Sequence, residues 1–504
     1  MPHRILLLSL LCAALRAQTP PPESIPPVDR PMQLPASGRT GQPGTVVTVQ
    51  NPLPSGLQSV NTTTSNVQVQ GAYSGSVPSA QAPGAPIALT LDEAVRRGLQ
   101  YNLGTIVNQQ GVRTAEAVRT MERSALLPYV SSNLLVADQQ TNLAALGFSG
   151  FPGIPTIVGP FHYFDLRAGA SQSVFDLTRI RNYRGSQENV RSAQFNAQDA
   201  RDLIALAVTG GYLQVIAAGA RVETTRAQVA TARAAYQQAV DRNTAGVAPR
   251  IDVTRTQVVL QVNQQRQTAL ENDLAKLRIA FARLIGLPPA QEYTLSDALP
   301  FAPLAGLTLE QALLRAYANR ADLKAAESQV HAAELARSAA SAERYPTIQV
   351  SGDYGLIGSS PTSSHGTFGT SAAVRLPIFQ GGRVQADIQL ADAALQQRRA
   401  ELQDLRGRID AEVRSAFLDL TSAANQIHVA ESNRGLAAET LTQARDRFAA
   451  GVADTLEVVQ AEETVAMAEQ DYISSLYQHN LAKATIARAM GQADQNIKQF
   501  LGRP

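Results

Sequence analysis

One unit of sequence occurs twice in this chain, with the two copies about 200 residues apart. The run Ala245-Gly246-Val247-Ala248 returns as Ala450-Gly451-Val452-Ala453, and the opening Thr90-Leu91-Asp92-Glu93-Ala94 returns as Thr308-Leu309-Glu310-Gln311-Ala312. A repeat of this length is too long for a short-period solenoid, so the sequence predicts that a whole structural unit is duplicated. We assign the first structural repeat to residues 87–300, the second to 301–495, and a C-terminal tail to 496–504.

Each repeat carries a pattern that predicts one very long helix, at Arg179–Asn243 in the first repeat and at Arg383–Ala449 in the second. At 1.5 Å per residue, each helix is about 100 Å long. Large apolar residues recur every seven positions, with Arg434 as an interruption: Val208, Val215, Val222, Val229 and Tyr236, then Val413, Leu420, Ile427, Leu441 and Phe448. Alanine follows three residues later throughout the second row, at 416, 423, 430, 437 and 444. This combination favours helices that pack closely along their length, although an ordinary two-helix coiled coil has the same pattern.

Each long helix is expected to end in a tight turn and return as a second helix. Gly246 and Gly451 suit the left-handed residue that ends a helix. Asp252 and Glu457 then fall in the first turn of the returning helix, where a carboxylate complements the helix dipole. The returning helices are predicted to end near Ile285 and Met490, each before a glycine. Each repeat therefore contains a helical hairpin with an exposed tip.

Each repeat is predicted to contain a pair of strands in which apolar residues alternate with small or polar residues. In the first repeat the strands are Tyr129–Val136 and a strand from Phe164. In the second, eight residues of one parity are predicted to face lipid: Ile348, Val350, Tyr354, Leu356, Phe368, Ala372, Val374 and Leu376. Strands of about ten residues with one apolar face fit transmembrane β-strands, and a soluble hairpin on a helical scaffold is the alternative. Four strands cannot close a barrel and open edges are not tolerated in lipid, so several chains must combine their strands.

The N-terminal segment indicates export. Residues 1–17 are predicted to be a signal peptide, and Cys12, the only cysteine, lies within it. The residues before Cys12 are leucines, which argues against lipidation. No later apolar run is expected to reach the length of a transmembrane helix. Residues 18–86 are rich in Pro, Gln, Ser and Gly and are predicted to be a disordered leader, although alternations at 46–49 and 67–70 offer an additional edge strand.

Several functional classes are excluded by composition and motifs. The net charge is +2, so no basic surface indicates a nucleic-acid partner. The sequence contains no Gly-x-Ser-x-Gly, His-Glu-x-x-His or phosphate-binding loop motif, and its histidines have no metal-ligand spacing. We therefore predict no catalytic residues, no metal site and no cofactor, and we do not expect an enzyme.

From about residue 87 to residue 495 the pattern resembles the TolC-like outer membrane efflux proteins. The resemblance depends on Leu91–Ala94 and Leu309–Ala312, on Pro128 and Pro346 before the strands, and on the strand-to-helix junctions at 173–175 and 377–383. It implies an α+β membrane protein, a homotrimer whose twelve strands form a β-barrel in the outer membrane and whose twelve helices form a periplasmic α-barrel. It also implies an adaptor protein that docks on the hairpin tips and connects the channel to an inner-membrane pump or to a type I secretion apparatus. The predicted docking residues are Gly246, Val247, Ala248, Asp252, Gly451, Val452, Ala453 and Glu457.

The resemblance further implies a periplasmic gate at the second tip, formed by Phe448, Leu456, Glu457 and Gln460. The best-known members of this family have a tyrosine at the position of Phe448 and an arginine at the position of Ala453. They have aspartates at the positions of Glu457 and Gln460. This chain therefore lacks the tyrosine–arginine latch and keeps one of the two acidic positions. Three Glu457 side chains around a threefold axis are expected to form one anionic ring, which favours cations.

The sequence thus predicts a passive exit duct that spans the outer membrane and the periplasm. Two alternatives from other classes stay open at this point: a periplasmic adaptor, and a soluble coiled-coil structural protein of an envelope complex. Two hairpins and two strand pairs argue against the adaptor, while the apolar strand faces argue against the soluble protein. Drug efflux, metal efflux and protein secretion are equally compatible with the sequence.

Overall fold

The computed structural model describes residues 44–52, 63–78, 85–147, 155–297, 301–302 and 306–494. The predicted signal peptide and the predicted C-terminal tail lie outside these residues. The described chain divides into two compact units. The strand unit comprises Thr120–Arg184 and Leu335–Leu390, and the helical unit comprises the described parts of Gly41–Arg119, Gly185–Glu334 and Ala391–Pro504.

Part of the predicted disordered leader is folded. Strand β1 (Val46–Pro52) pairs antiparallel with β2 (Thr63–Val69), and a short 3₁₀ helix follows at Gly71–Ser74. Val46 and Tyr73 are buried in the core of the helical unit. The prediction of disorder is therefore wrong for 44–52 and 63–78, because these segments bury apolar side chains. The two alternating runs pair with each other.

The same order of elements occurs in both repeats. The first contains β3 (Ile87–Leu89), α1 (Leu91–Tyr101), α2 (Leu103–Ser124), β4 (Tyr129–Asn142), β5 (Ile157–Phe175), α3 (Leu177–Thr244), α4 (Arg250–Leu284) and β6 (Tyr293–Leu295). The second contains α5 (Leu309–Asn319), α6 (Ala321–Ala342), β7 (Thr347–Gly358), β8 (His365–Arg375), α7 (Arg383–Ala449) and α8 (Thr455–Ala489). In the first repeat β3 and β6 form a parallel pair, which joins the first strand of the repeat to its last.

The long helices agree with the sequence pattern. Helix α3 is two residues longer at its N-terminus and one residue longer at its C-terminus than predicted, and α7 has the predicted bounds. Most of the apolar positions of both seven-residue rows are buried, and the five alanines of the second row are all buried. The rows are therefore the faces through which these helices pack.

Helix α3 also corrects one expectation. It contains an 18-residue window with a mean hydropathy of 1.7, which is long and apolar enough to cross a membrane by length and composition alone. The expectation that no such run follows the N-terminal segment is therefore wrong. Within the chain this window is 67% buried, and Ile204, Val208 and Tyr212 lie in the core of the helical unit. Packing against the chain's own helices accounts for its apolar composition.

At the junction of the two short helices in each repeat, a buried polar side chain fills the bend. Between α1 and α2, the Asn102 amide donates to the Tyr73 carbonyl at 2.8 Å and accepts from the Gly104 amide at 2.8 Å. Between α5 and α6, Arg320 is 1% exposed and contacts the carboxylates of Asp322 and Glu412 at 2.6 Å each. Because buried polar groups need partners, these contacts fix the two bends.

Candidate channel and docking surfaces

The strand unit contains one antiparallel sheet with the order β4-β5-β7-β8. The two strand pairs predicted separately for the two repeats therefore belong to a single sheet, joined where β5 pairs with β7. Strands β4 and β5 have 14 and 19 residues, longer than the ten or so expected from the sequence. Among the residues that the structure describes, β4 and β8 are each paired along one side, so the sheet has two open edges.

Residues predicted to face lipid lie opposite one another in the register of β7 and β8. Ile348 pairs with Val374, Val350 with Ala372, and Tyr354 with Phe368, so these six residues share one face of the sheet. Leu356 has the same parity and lies opposite Leu166 of β5. Phe368 is 78% exposed and Val374 is 69% exposed. This face is thus largely apolar, with Thr370 opposite Gly352 as an interruption, and no described part of the chain covers Phe368 or Val374.

Leu376 is the exception among the eight predicted residues. Strand β8 ends at Arg375, so Leu376 lies one residue beyond the strand, and its contact with lipid stays a prediction. The Pro377 ring that follows it has no N–H to donate to a strand ladder, which explains why the strand stops here. The side chain is 57% exposed.

Both hairpin tips have the geometry predicted from the glycines. Gly246 and Gly451 each have φ +76°, in the left-handed region. The Val247 amide donates to the Arg242 carbonyl at 2.9 Å, and the Val452 amide donates to the Arg447 carbonyl at 3.0 Å. These bonds close the last turn of each long helix. The valines at the two tips are 67% and 68% exposed, so both tips offer an apolar side chain to solvent.

The returning helices begin differently in the two repeats. Pro249 precedes α4 and provides no side-chain cap, whereas the Asp454 carboxylate accepts from the Glu457 amide at 3.1 Å and caps α8. Asp252 and Glu457 lie in the first turns as predicted. The sequence pattern Asp-x-x-Glu before an apolar run could have identified Asp454 as the cap.

Two arginines that the sequence reasoning missed contact the predicted gate residues. The Arg447 side chain pairs with the Glu457 carboxylate at 3.0 Å, and the Arg242 guanidinium lies 4.8 Å from the centre of the Phe448 ring. Arg242 and Arg447 occupy equivalent positions in the two repeats, four residues before the tip glycines, so the duplication was a signal for both. Leu456 and Gln460 are exposed.

A groove of about 560 Å³ lies between the two hairpins near their tips. Its lining includes Val247, Ala248, Asp252 and Phe448 from the predicted tip and gate sets, together with Arg242. The structure therefore brings the first tip and part of the predicted gate together around one groove. Gly246, Gly451, Val452 and Ala453 form the turns beside it.

Within the described ranges, no group of three or more His, Cys, Asp or Glu side chains is placed to hold a metal ion. The arrangement instead offers a one-sided apolar sheet and two helical hairpins with exposed tips. These features can cross a membrane and contact a partner.

Comparison with known proteins gives consistent results. The family model described as outer membrane efflux protein matches residues 107–287 and 312–492. The pyoverdine export outer membrane protein OpmQ of Pseudomonas aeruginosa is 25% identical over 438 residues, which are 83% of this chain and 88% of that protein. The toluene efflux pump outer membrane protein TtgF of Pseudomonas putida is 23% identical over 433 residues, covering 80% and 84%.

Solved structures show the same fold. The Campylobacter jejuni CmeC outer membrane channel superposes with a TM-score of 0.69 at 15% identity, and the alignment covers 91% of this chain and 98% of that one. The outer-membrane channel OprN gives a TM-score of 0.66 at 20% identity, with coverage of 80% and 90%.

The chain therefore has the fold that these outer-membrane channels share, with mixed helices and strands. The chain belongs to the outer membrane efflux protein family, whose model matches more than half of its length. It is an outer-membrane exit channel and not an enzyme, which rejects the periplasmic adaptor and the soluble coiled-coil protein as alternatives.

Proposed function

We propose that three copies of this chain form a single exit duct, with a twelve-stranded β-barrel in the outer membrane and a twelve-helix α-barrel in the periplasm. The observation that carries this proposal is the four-stranded sheet, which has one apolar face and two open edges. Unpaired strand edges are not tolerated in lipid, and pairing β8 of one chain with β4 of the next removes them all. The duct is passive, and an inner-membrane pump drives transport through an adaptor.

The assembly is tested on protein purified from outer membranes. We expect a heat-modifiable trimer on gels and stable single channels in planar bilayers. A conducting monomer, or protein from outer membranes that forms no trimer, would contradict a barrel built from the strands of three chains.

We further propose that the two tips dock the periplasmic adaptor. Val247 and Val452 are similarly exposed at the ends of the two hairpins, beside the groove that Arg242 and Phe448 line. Cysteine at either valine is expected to form a crosslink with an adaptor hairpin in cells that express the native partners. Crosslinks are detected by immunoblotting of membrane extracts.

The matched control for the tip experiment is Leu418→Cys. Leu418 is 69% exposed on the same helix as the second tip, and the 33 residues that separate it from Gly451 span about 50 Å. This position should give no adaptor crosslink. If neither tip position crosslinks while the channel level is unchanged, the tips are not the docking site.

The structure supports a gate that is held by contacts other than the missing latch. Arg447 partly neutralises Glu457 within the second hairpin, and Arg242 contacts the face of the Phe448 ring across the two hairpins. A cation over an aromatic ring contributes about 0.5–1 kcal/mol at an exposed site. We propose that these contacts hold the tips together in the closed state, and that three Glu457 residues form an anionic ring at the entrance.

The ring is tested by two variants of opposite sign. Glu457→Gln is expected to reduce cation selectivity and block by multivalent cations in planar-bilayer recordings, because it removes three negative charges from the constriction. Arg447→Gln removes the compensating charge and should increase both. The trimer should form in each case. If both variants leave selectivity and block unaltered, Glu457 is not at the constriction.

A further inference from the structure

The polar face of the sheet carries an ion-pair cluster that the proposed gate does not involve. Arg167 of β5 donates from Nε to Asp165 at 3.0 Å and from Nη1 to Asp353 of β7 at 2.8 Å. The Tyr163 hydroxyl donates to the second oxygen of Asp165 at 3.3 Å. All four residues have odd numbers, so they lie on the face opposite to the apolar surface. One cation between two anions leaves a net charge of −1.

The strands leave room for this cluster with glycines. Gly355 lies directly opposite Arg167, and a Cβ atom there would approach the Arg167 Cγ to 2.9 Å. Gly369 of β8 lies opposite Asp353, and a Cβ atom there would be 3.0 Å from a carboxylate oxygen. Glycine weakens a strand, so its presence marks sites where another group approaches closely. The cluster is therefore accommodated by the backbone of two neighbouring strands.

The cluster also holds three of the four Asp, Glu, Lys and Arg side chains that the described strands place on this face. Among the described strand residues of the sheet, the remaining Asp, Glu, Lys and Arg side chains are Asp138 and Arg375. Asp138 lies on the even-numbered face, whereas Arg375 shares the odd-numbered face with the cluster but lies at the end of β8, six residues from the level of Asp353. In the register of β5 and β7, Asp165, Arg167 and Asp353 lie at successive levels two residues apart, so the three charged residues occupy a layer about 14 Å thick.

We infer that Asp165, Arg167 and Asp353 set the charge selectivity of the barrel lumen, a second selectivity layer that favours cationic solutes. The inference rests on the proposed trimeric barrel, in which the apolar face meets lipid and the polar face lines the lumen. Three copies place a net charge of −3 in one layer. Charged rings of one sign attract counter-ions into a pore, and Arg167, which lies between the levels of the two aspartates, holds both carboxylates against the wall.

The test is a series of charge variants measured as reversal potentials in planar bilayers under a KCl gradient. Asp353→Asn brings the net charge of the layer in the trimer from −3 to zero. It should lower the ratio of potassium to chloride permeability by about twofold to threefold at 0.1 M salt. Arg167→Gln brings the layer to −6 and should raise the ratio. The double variant restores −3 and should return the ratio to the wild-type value. Each variant is also combined with Glu457→Gln, so that the charge of the proposed gate does not hide the effect of the barrel charge on the permeability ratio.

Ser171→Lys is a second route to the same charge. Ser171 is on the polar face of β5, two residues beyond the level of Asp353 and outside the ion pairs, so this variant adds three positive charges beside the layer without breaking an ion pair, even if Asp353→Asn does not assemble. Ser351→Asn, which adds a neutral amide to the same face, is the matched control and should leave the ratio unchanged.

The outcomes separate the inference from the proposal on which it rests. Conducting trimers whose ratio follows the layer charge support the inference. Conducting trimers that respond to Ser171→Lys but not to Asp353→Asn or Arg167→Gln overturn it and keep the barrel. Conducting trimers that respond to none of these changes also overturn it. Wild-type protein that neither trimerises nor conducts refutes the proposed barrel itself.

Discussion

Replacing Val350 by arginine is expected to reduce barrel assembly sharply, with a cost that approaches the value of about 2–4 kcal/mol in the middle of the bilayer. Val374→Arg should cost less, because Val374 is next to the last residue of β8 and the cost falls toward the interface. Both residues are on the apolar face, where Val350 is opposite Ala372 and Val374 is opposite Ile348. A guanidinium on this face meets hydrocarbon without a partner, because the neighbouring strand residues carry no carboxylate. Assembly is measured as the heat-modifiable trimer fraction in outer membranes.

The controls are arginines one residue away on the opposite face, Ser351→Arg and Ala373→Arg. These side chains enter the polar side of the sheet, where water can solvate them, so the trimer fraction should stay close to that of the wild type. Equal tolerance of arginine on both faces would contradict the membrane assignment of the sheet.

The parts of the fold that the sequence predicted correctly depend on local rules. The glycines at 246 and 451 end their helices because their φ of +76° is strained for other residues. The seven-residue rows are buried because a strict apolar period fixes one face of a long helix. The alternating strands of β7 and β8 have the predicted parity because the side-chain period of a strand is two.

The parts that the sequence did not predict depend on contacts between distant residues. Tyr73 is buried because Gly104 leaves room for its ring and Asn102 binds its carbonyl, and neither partner is near it in sequence. Composition alone therefore favoured disorder for this segment. At the gate, Arg242 contacts the Phe448 ring of the other hairpin, so no reading of either tip by itself indicates the pair.

Arg320 is the clearest case of a residue whose role only the packing reveals. Burial acts to lower the pKa of Arg320, but the hydrogen bonds and charges of Asp322 and Glu412 outweigh it and raise the pKa above its ordinary value. Burial likewise acts to raise the pKa of Asp322, but Arg320 lowers it overall. A carboxyl with a lowered folded pKa contributes stability above its unfolded pKa, and this stability is lost as the pH falls through the folded value.

We therefore expect Arg320→Ala to lower the free energy of unfolding of the helical unit by about 3–5 kcal/mol, because it removes the cation of a buried ion pair and leaves Asp322 with only the Leu323 amide and the charge of Arg488. Arg399→Ala is the matched control. Arg399 is 49% exposed and pairs with Glu334 at 2.8 Å, and surface pairs of this kind contribute about 0–1 kcal/mol. Urea unfolding of the full chain, followed by helical circular dichroism at pH 7, measures both variants.

The excess loss of unfolding free energy in Arg320→Ala should diminish toward pH 3, where protonation of Asp322 in the variant relieves its unpaired charge. A loss in Arg320→Ala no larger than that in Arg399→Ala would mean that packing alone holds the bend between α5 and α6.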